Sequence, residues 1–395
     1  MTNDPTLIRR MAFPEGRSRP VATPLHPTVV WAAESPDQLD DIYDNPGTGF
    51  TYAREAHPNA VALAQRLDAL EGGQGGLVVG SGMAAVTVAL MGCLKAGDHV
   101  LGGDQLYGRS LRLMAETLPQ MGIETSLADP TDAAAFAAGL RPNTRAILIE
   151  TVSNPTLRVA DVAGIAALAQ AHGIALLIDS TFSTPRAVRA LDHGADVVIQ
   201  SVTKLLAGHS DVTLGYVLAR DPARMAAMRV LAVTMGLTPS PFDCWLAERG
   251  LFTFDLRYDR AEENARRLAD HIAALPGITR VIYPGRADHP DHNRARSLLG
   301  ARTGNMLSFE LAGGRAAANA LTRAMPEVAF APTLGDVGTT LSHPPSSSHR
   351  ALSAENRLRL GISEGFFRVS VGIEDFDLLA RDFTRGIAAA AAVAE

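Results

Sequence analysis

The chain has 395 residues, 36 Lys and Arg against 42 Asp and Glu, a formal net charge of −6 and 47% hydrophobic residues. At roughly 150 residues per folding unit this suggests two or three domains; the apolar fraction excludes a disordered chain, and the charge gives no support for nucleic acid, whose partners carry a concentrated positive face. No apolar run approaches the ~18 residues of a membrane helix, residues 1–16 hold no segment of export-signal length, and two cysteines, Cys93 and Cys244, make neither a disulfide framework nor a zinc cluster and fit a reducing cytoplasm.

The first fifty residues lack a sustained period of 2 or 3.6 and read as an extended arm, resting on its own body or reaching a neighbour. From Asn59 the spacing of Val61, Leu63, Leu67 and Leu70 is helical, and the glycines of EGGQGG (71–76) close it. Strands and helices then alternate. The expected strands are Leu77–Val79, His99–Leu101, Arg145–Ile149, Ile174–Ile178, Asp196–Ile199 and Tyr216–Leu218, and the expected helices Met83–Leu94, Leu111–Met121 and Val162–His172. Such alternation implies a mostly parallel sheet with helices on both faces and ligands at the carboxyl ends of its strands. The character changes near 239–245. A charged helix follows over Arg257–Leu275, with strands of a smaller domain at Thr303–Leu311 and Phe366–Val371. The stretch 332–349 is irregular and reads as a loop that contributes to a site.

Chemistry-bearing residues fall just after the apolar runs. Lys204 ends a strand beside Ser201 and Thr203, where partial burial makes an amine nucleophilic. Taken alone such a lysine is more often a solvated strand end. Asp179 leaves the run IALLIDS and suits a protonated ring nitrogen, as a carboxylate does under a pyridoxal cofactor, or else a helix N-cap. Gly80, Ser81 and Gly82 lead from a strand into a helix, an anion site that also satisfies a dinucleotide fingerprint. Tyr107 follows another strand and can stack on a planar ring, although by itself such a residue is more often a core or rim tyrosine. Tyr52 and Arg54, two apart in extended chain, project to one side as a phosphate clamp or a surface pair. Arg368, in an apolar strand, needs a partner: a substrate carboxylate or a structural acid. His289 and His292, in a Pro-rich loop, read as solvated rather than as metal ligands, so no metal is expected.

With these motifs in this order, the sequence resembles the cysteine/methionine metabolism group of pyridoxal phosphate enzymes, which includes cystathionine γ-synthase, the cystathionine γ- and β-lyases, methionine γ-lyase and O-acetylhomoserine sulfhydrylase. YAREAHPN, EGG, SGMAA, DQLYG, ETVSNPT, SVTKLLAGHSD, LGDVGTT and RVSVGIED carry the likeness from about Tyr52 to Asp375. The resemblance implies a fold-type I (aspartate aminotransferase-like) α/β architecture: an arm over 1–58 contacting a neighbouring subunit, a cofactor domain over 59–245 and a smaller α/β domain over 246–395. It implies pyridoxal 5′-phosphate, bound as an imine to Lys204, paired with Asp179 at the ring nitrogen and stacked by Tyr107. Gly82, Met83, Ser201 and Thr203 would hold the phosphate, joined by Tyr52 and Arg54 of a neighbouring subunit. Asn154 would sit near the phenolic oxygen, and Arg368 on the substrate carboxylate. Thr339 would help orient the lysine, and Glu55 would lie by the substrate. The implied assembly is a cytoplasmic homotetramer, and the implied reaction is elimination or replacement on a sulfur-containing or homoserine-derived amino acid. γ-Chemistry is favoured over β-elimination.

Departures from the family pattern bear on substrate. Gly338 stands where members often have Glu, HPN (57–59) replaces NPT, SSSH (346–349) replaces SMTH, and Glu55 follows the clamp arginine. These changes favour a reshaped distal pocket, with canavanine as one case of another homoserine derivative. The rival classes are a nicotinamide-dependent oxidoreductase resting on GSGMAA, which leaves Lys204 without a role, and a non-catalytic binding protein on a related scaffold.

Overall fold

A computed structural model of the chain describes residues 17–45, 47–350 and 352–394; the reading of residues 1–16 as free of an export signal lies outside them. Seven strands form the larger sheet: β1 (Leu77–Val79), β2 (His99–Gly103), β3 (Glu124–Ala128), β4 (Thr144–Glu150), β5 (Ala175–Asp179), β6 (Val197–Gln200) and β7 (Gly215–Ala219). Their spatial order is β1-β7-β6-β5-β4-β2-β3. β6, β5, β4, β2 and β3 pair in parallel, whereas β7 runs against both β6 and β1. β1 therefore points the same way as β6. The carboxyl ends of β1, β2, β4, β5 and β6 all reach one edge.

The central strands are near-continuous apolar runs because both faces are covered. Ile147, Ile149, Leu176, Ile178 and Val198 pack into one layer, while Ala146, Leu148, Leu177, Val197 and Ile199 alternate into the other. Each large aliphatic side chain buried this way is worth about 1.5–3 kcal/mol. The unexpected strand is β3, an edge strand of sequence ETSLA in which no residue is fully buried. The expected helix over Leu111–Met121 is broken: regular helix spans Gly108–Arg112, a wide π-type turn covers Leu113–Thr117, and Leu118–Gln120 resumes around Pro119.

A second sheet holds β8 (Ile278–Ile282), β9 (Met306–Leu311), β10 (Ala329–Phe330), β11 (Thr340–Ser342) and β12 (Phe366–Ser370), in the order β10-β11-β12-β9-β8. The stretch read as wholly irregular thus contains β11 and a short turn of helix at Pro344–Ser346. On one face Leu307, Phe309, Phe367 and Val369 pack under the helices Phe254–Ala273, Gly314–Ala324 and Phe376–Ala391. On the other, Met306 and Phe366 join Val152, Leu157 and Phe182 of the larger domain. Strand alternation puts Arg368 on that second face, with Phe366. His289 is a correction to the sequence reading. It is buried, with Nε2 bonded to the Leu157 carbonyl at 2.9 Å and Nδ1 accepting from the Asp291 amide.

The helix Pro58–Glu71 ends at Gly72, which takes a left-handed conformation with φ 73°. Its last residue, Glu71, is buried and accepts from Gln200 Nε2 at 2.7 Å, at the end of β6. Burial lifts its carboxyl from an ordinary 4.5 to about 7, against the hydrogen bond from Gln200. Between those values the folded chain binds the proton that the unfolded chain has lost, so this group makes stability fall as pH rises through that window. At one pKa unit per 1.36 kcal/mol the full effect is on the order of 3 kcal/mol. Glu71→Gln keeps an acceptor for Gln200 and removes the titration. In urea denaturation the variant should gain on the parent protein by up to about 3 kcal/mol between about pH 5 and about pH 8; a difference that stays constant with pH would refute this account.

Candidate active site

Five of the strands that end at the common edge, β1, β2, β4, β5 and β6, each deliver a functional group. After β1, Ser81 caps the helix Gly82–Met91 by accepting the Ala84 amide at 3.0 Å. The amides of Gly82 and Met83 begin that helix and have no acceptor within it. A Cβ built on Gly82 would lie 2.7 Å from Ser201 Oγ, so only glycine leaves this strip open. Helix start and seryl hydroxyl together make a cradle for a phosphate. The second expected hydroxyl, Thr203, is already engaged: it donates to the Leu214 carbonyl and accepts the Leu214 amide, both at 3.0 Å.

After β6 the chain turns through Ser201–Ala207, and Lys204 is partly buried in that turn. Burial, followed by the charge of Arg368, lowers its pKa. Asp179, at the end of β5, has its pKa raised by burial and opposed by hydrogen bonds from Thr181, whose amide lies 3.0 Å from Oδ1. The Thr181 hydroxyl in turn accepts the Ser201 amide at 2.9 Å, tying the acid to the phosphate cradle.

Two groups at this edge escaped the sequence reading. Glu150, the register partner of Asp179 on β4, accepts the Tyr107 amide at 2.6 Å. Burial first, and then the Asp179 charge, push its carboxyl well above the ordinary range. The other is His349, pushed down to about 4 by burial and by the charges of Arg368 and Arg357. ETVSNPT and SSSH contain both, yet nothing in their spacing marks a role.

Arg368 approaches from the second sheet. Its Nη1 donates to Asn154 Oδ1 at 2.8 Å and its Nη2 to the Thr333 carbonyl at 2.7 Å, whereas the buried Nε has no partner among the described residues. Burial brings its pKa down to about 10, which leaves it protonated at neutral pH. Thr339 is close-packed rather than open: its hydroxyl donates to Glu374 Oε2 at 2.9 Å and accepts the Gly372 amide at 2.9 Å. Gly338 beside it is flanked by the Asp336 and Glu374 carboxylates. On the arm, the Arg54 guanidinium lies 4.8 Å over the Tyr52 ring and 4.0 Å from Glu55, and all three are exposed.

The residues present fit a pyridoxal phosphate: a phosphate cradle that a Cβ on Gly82 would fill, an amine, an acid at a strand end, and a buried guanidinium nitrogen without a partner. Fold and site together define a fold-type I enzyme dependent on this cofactor. The sequence belongs to the Cys/Met metabolism PLP-dependent enzyme family, which it matches over residues 6–388. It is 39% identical to the cystathionine β-lyase MetC of Bacillus subtilis over 86% of each chain. To the L-methionine γ-lyase of Pseudomonas putida it is 35% identical over 96% of this chain and 95% of that one. The cystathionine γ-synthase of Xanthomonas oryzae superposes with a TM-score of 0.89 at 34% identity, over 94% of both chains.

Gly82→Ala should weaken binding of pyridoxal 5′-phosphate to the stripped protein by about tenfold or more, in line with an overpacking cost of about 1–3 kcal/mol. Fluorescence titration reads this directly, and an unchanged affinity would remove Gly82 from the cradle.

Proposed function

We propose that this protein is a lyase or transferase acting at the γ-carbon of a sulfur-containing or homoserine-derived amino acid, with Lys204 as its proton-transfer base. The meeting of amine, strand-end acid and buried guanidinium at one sheet edge carries this reading. Bound pyridoxal phosphate supplies an electron sink that acidifies the α-proton of an attached amino acid. Arg368 binds the substrate carboxylate through its fork, held by Asn154 on one arm and the Thr333 carbonyl on the other. The Lys204 amine, freed of its proton more easily than an exposed lysine, takes a proton from Cα and can return it at a neighbouring carbon. Asp179 keeps the ring nitrogen protonated, and Tyr107 covers the ring face. The amides of Gly82 and Met83 and the Ser201 hydroxyl hydrogen-bond the phosphate, while Thr203, engaged with Leu214, shapes the turn beside it.

The same reading makes the catalytic unit a dimer, and two such dimers a tetramer. Tyr52 and Arg54 would complete a neighbouring subunit's phosphate site, Glu55 would lie by the substrate, and Thr339 would help orient the lysine. The exposed apolar side chains of the arm, Val21, Leu25, Val29 and Val30, support burial against another chain. Cys93 and Cys244 are both free, in keeping with a cytoplasmic location, and among the described residues no helix is long and apolar enough to cross a membrane.

The likeness to cystathionine β-lyase favours β-elimination as the second reading. The two differ in the keto acid released. Incubation with L-cystathionine, L-methionine and O-acyl homoserines should yield 2-oxobutanoate; pyruvate alone would convert the assignment to β-elimination. Borohydride should fix the cofactor to the peptide containing Lys204, and Lys204→Ala should reduce turnover by at least about a thousandfold. A variant that keeps parent-like turnover would end the proposal.

A further inference from the structure

The turn carrying Lys204 has little regular structure of its own, and a side chain 53 positions further along the sequence holds it. Arg257, near the start of the helix Phe254–Ala273, is buried. Its Nη1 donates to the Leu205 carbonyl at 2.8 Å, its Nη2 to the carbonyls of Leu206 at 3.0 Å and Gly250 at 2.9 Å, and its Nε to Thr253 Oγ1 at 3.1 Å. Leu205 and Leu206 directly follow the lysine. Gly208, at φ 78°, closes the turn with its amide on the Lys204 carbonyl at 2.8 Å, and a Cβ there would lie 1.9 Å from Arg257 Nη1. Glycine at 208 thus admits both the backbone conformation and the guanidinium.

From the opposite side the loop before β11 presses on the same turn. A Cβ on Gly335 would meet the Leu205 nitrogen and the Lys204 carbonyl carbon, and the Val337 amide donates to the Gly208 carbonyl at 2.9 Å. Burial lowers the Arg257 pKa to about 10, opposed by the Asp336 carboxylate in that loop, which leaves the guanidinium charged at neutral pH. The lysine backbone is therefore clamped between a helix and a loop that both belong to the C-terminal half of the chain.

We propose that Arg257 is a positioning residue for Lys204: its guanidinium fixes the main chain of residues 205–206 and thereby the reach of the Lys204 amine. The inference rests on the role of Lys204 stated above. A displacement of about 1 Å at a reacting group can cost about a hundredfold in rate, and a planar fork satisfying three carbonyls holds a turn more rigidly than an ammonium does.

Cofactor-loaded Arg257→Ala and Arg257→Lys provide the test. For Arg257→Ala, kcat should fall by at least about tenfold while KM moves by less than about threefold, because the groups assigned to substrate binding lie elsewhere. Free guanidinium at low millimolar concentration should restore much of the Ala variant's kcat and leave the parent unaffected. Attachment of added cofactor to Lys204, followed by absorbance in the stripped variant, should slow as well. A kcat within about twofold of the parent, or a loss that guanidinium does not relieve, overturns the proposal. If the Ala variant does not fold, Arg257→Lys is decisive: a kcat-selective loss supports the clamp, and parent-like kcat overturns it. Failure of borohydride to fix cofactor at Lys204 in the parent would instead defeat the functional reading itself.

Discussion

Six strands pointing the same way, their carboxyl ends along one edge of a twisted sheet, are the constraint on which the rest depends. β1, β2, β4, β5 and β6 are each too short and too apolar to carry chemistry internally. What they do is bring residues at or just beyond their carboxyl ends to a common line. Gly82, Tyr107, Glu150, Asp179 and Lys204 are distant in sequence and adjacent in space for that reason alone. The antiparallel β7 preserves the arrangement, because reversing twice across it leaves β1 aligned with β6.

The second sheet adds the opposing charge. Strand alternation turns Phe367 and Val369 into the core of the smaller domain and leaves Arg368 facing the larger one. Arg368 and Lys204 then lie close enough for the guanidinium to lower the amine's proton affinity, while the Asp179 charge on β5 adds to the burial that raises the proton affinity of Glu150 on β4.

Much of this was legible before any coordinates. Lys204 and Asp179 stand out because apolar strands end abruptly in polar residues, and Arg368 because a charge interrupts an apolar run. The polar edge strand β3 was not legible, since a strand with one solvated side leaves little hydrophobic pattern. Nor were Arg257, Glu150 and Thr181. Their roles lie in hydrogen bonds to main-chain atoms remote in sequence, and a main-chain partner leaves no trace in residue identity. His289 misled for the same reason: a histidine in a Pro-rich loop reads as solvated until the Leu157 carbonyl is seen to bury it.

The base of the arm is stitched to its own chain. Asn59 holds the Pro24 carbonyl and the His26 amide, and the Trp245 indole holds the Thr23 carbonyl. A strap fastened this way is already shaped before it meets anything else. Whatever surface it later covers, the conformational entropy of ordering residues 23–26 is lost during folding and not during encounter, so that part of the contact forms as a rigid docking event and its affinity carries less of an ordering penalty.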